Sequence, residues 1–208
     1  IVVPCYNVQD TLKETIESIL KQDFNNYEIV AVDDGSSDKT TEILNNYKIR
    51  NNIKVITQSN KGLGAARNTG IKSSDGIYIC LLDADDLWVR NKLTKVHEII
   101  KNKKYSLVSN DEIILGNKYL FYLRNNPPRS LSNLLISGNT LSPSAITIKK
   151  ELFDKVGLFK EGKKFLGVED WDFWIRVIDS GEKIKHLPEP LGIYRRDIQN
   201  MSKSKEFT

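Results

Sequence analysis

The chain has 208 residues, of which 39% are hydrophobic and 28% charged, with a formal net charge of +4. That composition excludes disordered and fibrous chains, and no apolar run reaches the roughly 18 residues needed to span a bilayer. The positive excess is spread through segments such as "KNKK" and "KEGKK", a solvated surface pattern that does not point to nucleic acid.

In chain order, "IVVPCY" reads as a buried strand. The segment "NVQDTLKETIESILKQD" then places Val8, Leu12, Ile16, Ile19 and Leu20 on one helical face, with Asn7 as a candidate cap. "YEIVAV" is a second strand, followed by the loop "DDGSSD", where Ser36 or Ser37 is expected to cap a shorter helix carrying Ile43, Leu44 and Tyr47. "IKVIT" is a third strand, "NKGLGAARNTG" opens another helix, and "GIYICLL" is a fourth strand. Strand and helix alternating at this spacing predict crossover connections and a mostly parallel sheet, Rossmann-like, with helices on its faces. Ligands of such sheets bind beyond the carboxyl ends of the strands. "PCYN", "DDGSSD" and "DADD" all fall there.

The second half is less regular. "YSLVSNDEIILGNKYLFYL" predicts strands turning at Gly116-Asn117, and "NPPRSLSNLLISGN" a proline-broken link with a short helix, the Pro127-Pro128 pair marking a weak lobe boundary. "SPSAITIKKELFDKVG" reads as strand then helix. "GVEDWDFWIRVIDSG" sets Trp171, Trp174, Ile175 and Ile178 on one helical face that stops at Gly181, and core packing is the expected role of the tryptophans. "EKIKHLPEPLGIYRR" is a late strand interrupted by proline, and the tail "DIQNMSKSKEFT" is polar. Cys5 and Cys80 each lie inside an apolar run and read as buried thiols of a reducing compartment. His97 and His186 read as structural or surface residues. Ile1 already stands inside a strand-like run and the only methionine is Met201, so a preceding segment is expected.

The chemistry concentrates in "LLDADD". Asp83, Asp85 and Asp86 are too many for a helix cap, and carboxylates this close repel one another unless a cation compensates them. Hard oxygen ligands at this density suit Mg²⁺ or Mn²⁺ completed by phosphate oxygens and water. A carboxylate in "DDGSSD", after the second strand, can accept hydrogen bonds from a base or ribose. "GLGAARNTG" lacks the third glycine of a dinucleotide fingerprint and has Arg67 there, so it reads as a helix start that faces an anion. In "GVEDWDFW", Glu169 or Asp170 is expected to face a cleft while Asp172 points elsewhere.

Together "VVPCYN", "YEIVAVDDGSSDKT", "NKGLGAARNTG", "LLDADD" followed by "KL", and "VEDWDFWIR" resemble the family 2 glycosyltransferases, in the same order and from Ile1 to about Tyr194. The resemblance implies an α/β GT-A fold over residues 1–208, with a nucleotide-sugar-binding half at 1–104 and a less regular acceptor-binding half at 105–208. It also implies inverting transfer from a nucleotide sugar, most often a UDP-sugar, to a glycan or lipid-linked acceptor of a bacterial-type surface polysaccharide, with Mn²⁺ or Mg²⁺ as cofactor. Carried over by position, Pro4, Tyr6, Asp34 and Arg67 surround the nucleoside, Asp83 and Asp85 are the DxD pair at the ribose and metal, and Asp170 is the catalytic base. Relatives place a histidine after a Tyr-Arg pair as a further metal ligand, and "YRRDIQNMS" has Asp197 there. The implied location is cytoplasmic, compatible with a peripheral position at the inner face of the membrane. Two rival readings are a sugar nucleotidyltransferase, for which "PCYNVQD" lacks the glycine-rich basic loop, and a non-catalytic donor-binding scaffold.

Overall fold

The computed structural model describes residues 1–115, 120–128 and 130–195. In chain order the elements are β1 (Val2–Cys5), α1 (Leu12–Leu20), β2 (Ile29–Asp33), α2 (Thr40–Tyr47), β3 (Ile53–Thr57), α3 (Leu63–Ser73), β4 (Tyr78–Cys80), β5 (Leu87–Trp88), α4 (Lys92–Ile100), β6 (Leu107–Leu115), β7 (Leu120–Leu123), α5 (Leu131–Ser137), β8 (Ile146–Lys149), α6 (Leu152–Val156), α7 (Glu169–Asp179) and β9 (Ile184–Arg195).

The predicted alternation holds for the first half. β1, β2 and β3 form a parallel sheet, with Val3 opposite Ala31 and Ala31 opposite Val55. β4 joins β1 through one parallel bridge, Val2 to Leu81, and the Leu82 amide donates to the Val2 carbonyl. Pro4 stands in the middle of this arrangement. Its missing N–H falls on the β4 side of β1, just where the fourth strand leaves at Leu82, so proline there ends the ladder without orphaning a donor. The second half departs from the parallel expectation. Its sheet runs β4-β8-β6-β9-β5 with β7 on β6, and only β6 and β9 pair in parallel.

β4 is covered on both faces, and its alternation divides the core. Cys80 and Leu82 face Leu12, Ile16, Ile19, Leu44 and Leu93, whereas Ile79 and Leu81 face Phe153, Phe173, Trp174 and Val177. Each such side chain, fully buried, contributes about 1.5–3 kcal/mol. Both cysteines are free and buried, as expected, and burial followed by the charge of Asp33 pushes the Cys5 thiol up, which makes it unreactive.

Several local expectations are corrected. Asn7 does not cap α1: it adopts φ 51 and its Oδ1 accepts from the Ser37 amide at 2.8 Å, so α1 begins only at Leu12. Neither Ser36 nor Ser37 caps α2. The Asp38 carboxylate accepts the Thr40 amide at 2.9 Å, while Ser36 Oγ accepts the Asn7 amide. The inner face of α7 is rotated from the expected one, centring on Phe173, Trp174 and Val177, with Trp171, Ile175 and Ile178 partly buried at its margin. The α7 helix stops as expected before Gly181 at φ 68. Prolines do not end the late strand: β9 pairs Leu187 with Asn110 and Pro190 with Asp111, so Pro188 and Glu189 form a bulge. The turn expected at Gly116-Asn117 lies outside the described residues, although Leu115 and Leu120 on either side of it are paired.

Candidate active site

The "DADD" turn follows β4 at the carboxyl edge of the sheet. Its side chains alternate: Asp83 and Asp85 are partly exposed, whereas Ala84 and Asp86 are buried. The backbone is fastened from the start of α1, where the hydroxyls of Thr11, just before the helix, and Thr15 donate to the Ala84 carbonyl at 2.9 and 2.8 Å and Thr15 also reaches the Asp86 carbonyl at 2.9 Å. From β8's side, Ser144 Oγ accepts the Asp83 amide at 3.1 Å and donates to Asp86 Oδ2 at 2.6 Å. Asp86 also accepts the Arg195 amide at 3.0 Å, which joins the turn to the end of β9. Burial, then the charges of Asp85, Glu112 and Asp83, hold its carboxyl well above the ordinary range. Asp86 is therefore structural, and the cluster offers two carboxylates rather than three.

Part of the charge that compensates the cluster comes from the chain itself. Arg67, projecting from α3, donates from Nη2 to Asp83 Oδ1 at 2.8 Å and from Nη1 to Glu169 Oε1 at 2.9 Å. Burial alone would depress this guanidinium, but Asp83 first, then Glu169 and Asp170, hold it above its ordinary value. Arg67 here faces anions that are carboxylates of the chain rather than a ligand expected at the helix start. Its approach depends on Gly64 one turn earlier, where a Cβ would lie 2.4 Å from the Lys160 carbonyl.

Arg67 brings the first turn of α7 to the DxD turn. Glu169 is buried and doubly held, by Arg67 and by the Gly167 amide at 2.8 Å. Asp172 turns away to pair with Arg176 at 2.7 Å, as expected for the residue facing elsewhere. Asp170 is half-buried and keeps lighter company. Its Oδ2 accepts from Asn139 Nδ2 at 2.8 Å and its Oδ1 from the Trp171 amide at 2.7 Å. Burial raises its carboxyl above the ordinary value, Arg67 pulling the other way. A carboxylate poised upward and accessible is what a general base requires.

On the other side of the DxD turn, Asp34 is buried. Its Oδ1 accepts from Gln58 Nε2 at 2.7 Å and the Lys61 amide at 3.0 Å, its Oδ2 from the Gly62 amide at 2.8 Å. In this structure it shapes the loop that opens α3, and Oδ2 retains one acceptor direction for a ligand. Gly35, next to it, takes φ 73, and a Cβ there would stand 2.9 Å from the Asn60 amide, so the same loop excludes a side chain. Pro4 is buried within β1, and Tyr6, just beyond it, is half exposed.

The donor set fits a hard divalent cation. Asp83 Oδ2 has no protein donor among the described residues, Asp85 stands beside it on the outward side, and Mg²⁺ sites typically take one or two carboxylates. Among the described residues, no group of three or more His, Cys, Asp or Glu is placed to hold a metal ion. Asp197 lies outside the described residues. Of the two histidines, His97 packs on Phe24 with ring centroids 4.8 Å apart, and His186 has partners that the sequence did not reveal, Ser109 Oγ at 3.0 Å and Asp111 Oδ1 at 3.3 Å.

The fold agrees with the comparisons. The sequence profile of glycosyl transferase family 2 matches residues 1–157, and the chain belongs to that family. A curated relative from Escherichia coli, the UDP-Glc:alpha-D-GlcNAc-diphosphoundecaprenol beta-1,3-glucosyltransferase WfaP, is 29% identical over 99% of this chain and 80% of its own length. Among solved structures, TarS of S. aureus in complex with UDP-GlcNAc superposes with a TM-score of 0.82 at 24% identity, over 98% of this chain and 60% of that one. The mannosyltransferase PcManGT from Pyrobaculum calidifontis, in complex with GDP-Man and Mn²⁺, gives a TM-score of 0.72 at 18% identity, over 96% of this chain and 57% of that one. The fold is accordingly GT-A. The chain spans about three-fifths of the length of both solved chains and of some curated relatives.

Proposed function

We propose that the protein is an inverting, metal-dependent glycosyltransferase that moves a sugar from a nucleotide donor, a UDP-sugar, to a hydroxyl of a glycan or lipid-linked acceptor in polysaccharide synthesis. The observation that carries this reading is the Arg67 bridge, which joins Asp83, the first DxD aspartate, to the helix turn bearing Asp170. Pro4, Tyr6 and Asp34 line the nucleoside end, and Arg67 sets the position of Asp83. Asp83 and Asp85 would hold Mn²⁺ or Mg²⁺, with Asp197 as a further candidate ligand, and the ion supplies Lewis-acid neutralisation of the departing diphosphate. Asp170 takes the proton from the attacking acceptor hydroxyl. Asn139 directs Asp170, and Glu169, held by Arg67, keeps the helix turn in place. Residues 1–104 serve the donor and 105–208 the acceptor. No helix among the described residues is long and apolar enough to cross a membrane, and we place the chain in the cytoplasm, working peripherally at the inner membrane face on a lipid-linked acceptor. A thermal-shift and hydrolysis screen of nucleotide sugars with Mn²⁺ identifies the donor. Calorimetry of UDP with Mn²⁺ and with EDTA then tests the site. Tight binding is expected only with the metal, and equal affinities would remove the DxD pair from the diphosphate.

A further inference from the structure

A second polar cleft opens between β6, β7 and β9. It has a volume of about 350 Å³ and is lined by Asp111, Tyr122, Arg124, Asn126, His186 and Pro188. The carboxylate on its floor is already engaged: Asp111 accepts from the Tyr122 hydroxyl at 2.6 Å and from the Asn125 amide at 3.1 Å, with His186 Nε2 3.3 Å away. Glu189, on the neighbouring bulge, is paired with Lys95 at 3.2 Å. In contrast, Arg124 forms no ion pair and Asn126 no side-chain hydrogen bond among the described residues. The charged group left without an ion pair in the cleft is therefore a guanidinium, whose planar, forked geometry suits phosphate.

Its position ties the cleft to the site. Asp111 lies two residues beyond Ser109, the last residue of β6 that pairs with β8. Asp111 alternates with Leu107, which packs in the α6–α7 core, and Asp83 with Ile79 and Leu81 of the same core, so both residues point to the α7 face. Hydrogen bonds at the two ends of the 139–142 segment tie Asp111 on one side and Asp170 on the other. Asn125 donates its amide to Asp111 and accepts the Ser142 amide at 2.8 Å, and in the same segment Asn139 accepts the Leu141 amide at 3.1 Å and donates to Asp170.

We propose that this cleft is an anion subsite that binds a phosphate group of the acceptor, through Arg124 and Asn126, while the acceptor's reacting hydroxyl lies at Asp170. The proposal rests on the transferase reading of the site. It narrows the acceptor to one that carries phosphate near the hydroxyl that reacts, whether as a lipid diphosphate or as a phosphodiester within a glycan.

The test uses the whole chain. Inorganic pyrophosphate is titrated in EDTA, where no metal draws it to the DxD pair, and followed by the Asn126 side-chain amide resonance and by calorimetry. Binding that shifts Asn126 and weakens at least tenfold in Arg124→Gln is expected; equal binding by the variant, or shifts confined to the DxD turn, would overturn the subsite. Both positions are exposed, and Mn²⁺-dependent UDP binding, measured on the same samples, reports the donor site separately. Loss of UDP binding in the unsubstituted protein would count against the transferase reading, whereas pyrophosphate results bear on the cleft alone. Two synthetic acceptors then separate the sources: a sugar on a short alkyl diphosphate, and the same sugar on glycerol phosphate. The one whose affinity depends on Arg124 is the natural type, and independence of both from Arg124 would again refute the proposal.

Discussion

Replacing Arg67 with methionine removes a cation of similar reach while keeping an apolar stem in the core. The two bonds lost, at 2.8 and 2.9 Å, leave Glu169 with a side chain only 4% exposed and no counter-charge, whereas Asp83, at 26%, can turn toward water. The penalty therefore falls on Glu169. Removing one partner of a buried pair costs about 3–5 kcal/mol, and at about 2–4 °C per kcal/mol for a domain of this size the expected fall in Tm is roughly 6–20 °C. Chemical denaturation gives the free energy directly. Adding Glu169→Gln to Arg67→Met removes the stranded charge, so the double variant should recover part of the loss, and the double-mutant cycle should show coupling above about 1 kcal/mol. A loss below about 1 kcal/mol in the single variant, the size seen for exposed pairs, would refute the claim that Arg67 holds α7 against the DxD turn.

Asp170→Asn should lower transfer at least 100-fold, by the usual size of a general-base effect of about 10²–10⁴, with UDP affinity unchanged by calorimetry. The same variant should be more stable than the parent at neutral pH. Because burial raises the Asp170 pKa, the folded state holds a proton that the unfolded chain has lost, so its contribution declines as pH rises from the ordinary carboxylate range through the folded value; denaturation at pH 4 and pH 8 should show the gain only at the higher pH. Gly64→Ala drives a methyl toward the Lys160 carbonyl, an overpacking expected to cost about 1–3 kcal/mol and to weaken transfer, and a fully active, equally stable variant would mean that the 160 loop yields freely. If Asp197 is a metal ligand, the oxygen-only shell should accept Mg²⁺ nearly as well as Mn²⁺, and Asp197→His should shift the preference toward Mn²⁺; unchanged metal preference in a UDP-binding assay would remove it from the shell.

The parts of the molecule that were legible in the sequence are those set by local pattern. Alternating apolar runs and 3.6-residue faces located β1 through α3, and the acid-rich end of β4 marked the working edge. What escaped depends on contacts between distant segments. Nothing near Arg67 announces that it meets Glu169, 102 residues away, and nothing in "DADD" separates the inward Asp86 from its outward neighbours until Ser144 is placed behind it. One signal in the sequence does point to the clasp: Thr15 sits among Leu12, Ile16 and Ile19 on the apolar face of α1, and a buried hydroxyl on such a stripe must have a carbonyl to bond. The α7 face was misplaced because the run Trp171 to Ile178 has apolar residues on most sides, so that tertiary packing, not periodicity, chose Phe173 and Val177. In β9, proline was read as a break, whereas a bulge absorbs it.

The threonine clasp on the DxD turn has a consequence for how the protein exists without its ligands. Three neighbouring acids would ordinarily push a loop apart, but here the carbonyl of Ala84 is gripped by two hydroxyls at the start of α1 and the Asp83 amide is held by Ser144. The peptide frame keeps its shape independently of the charges it displays. A cation arriving at Asp83 and Asp85 would meet a frame already set, with little chain entropy left to lose, so its capture should leave the far-ultraviolet circular dichroism spectrum unaltered and spare the enzyme any dependence on metal for folding.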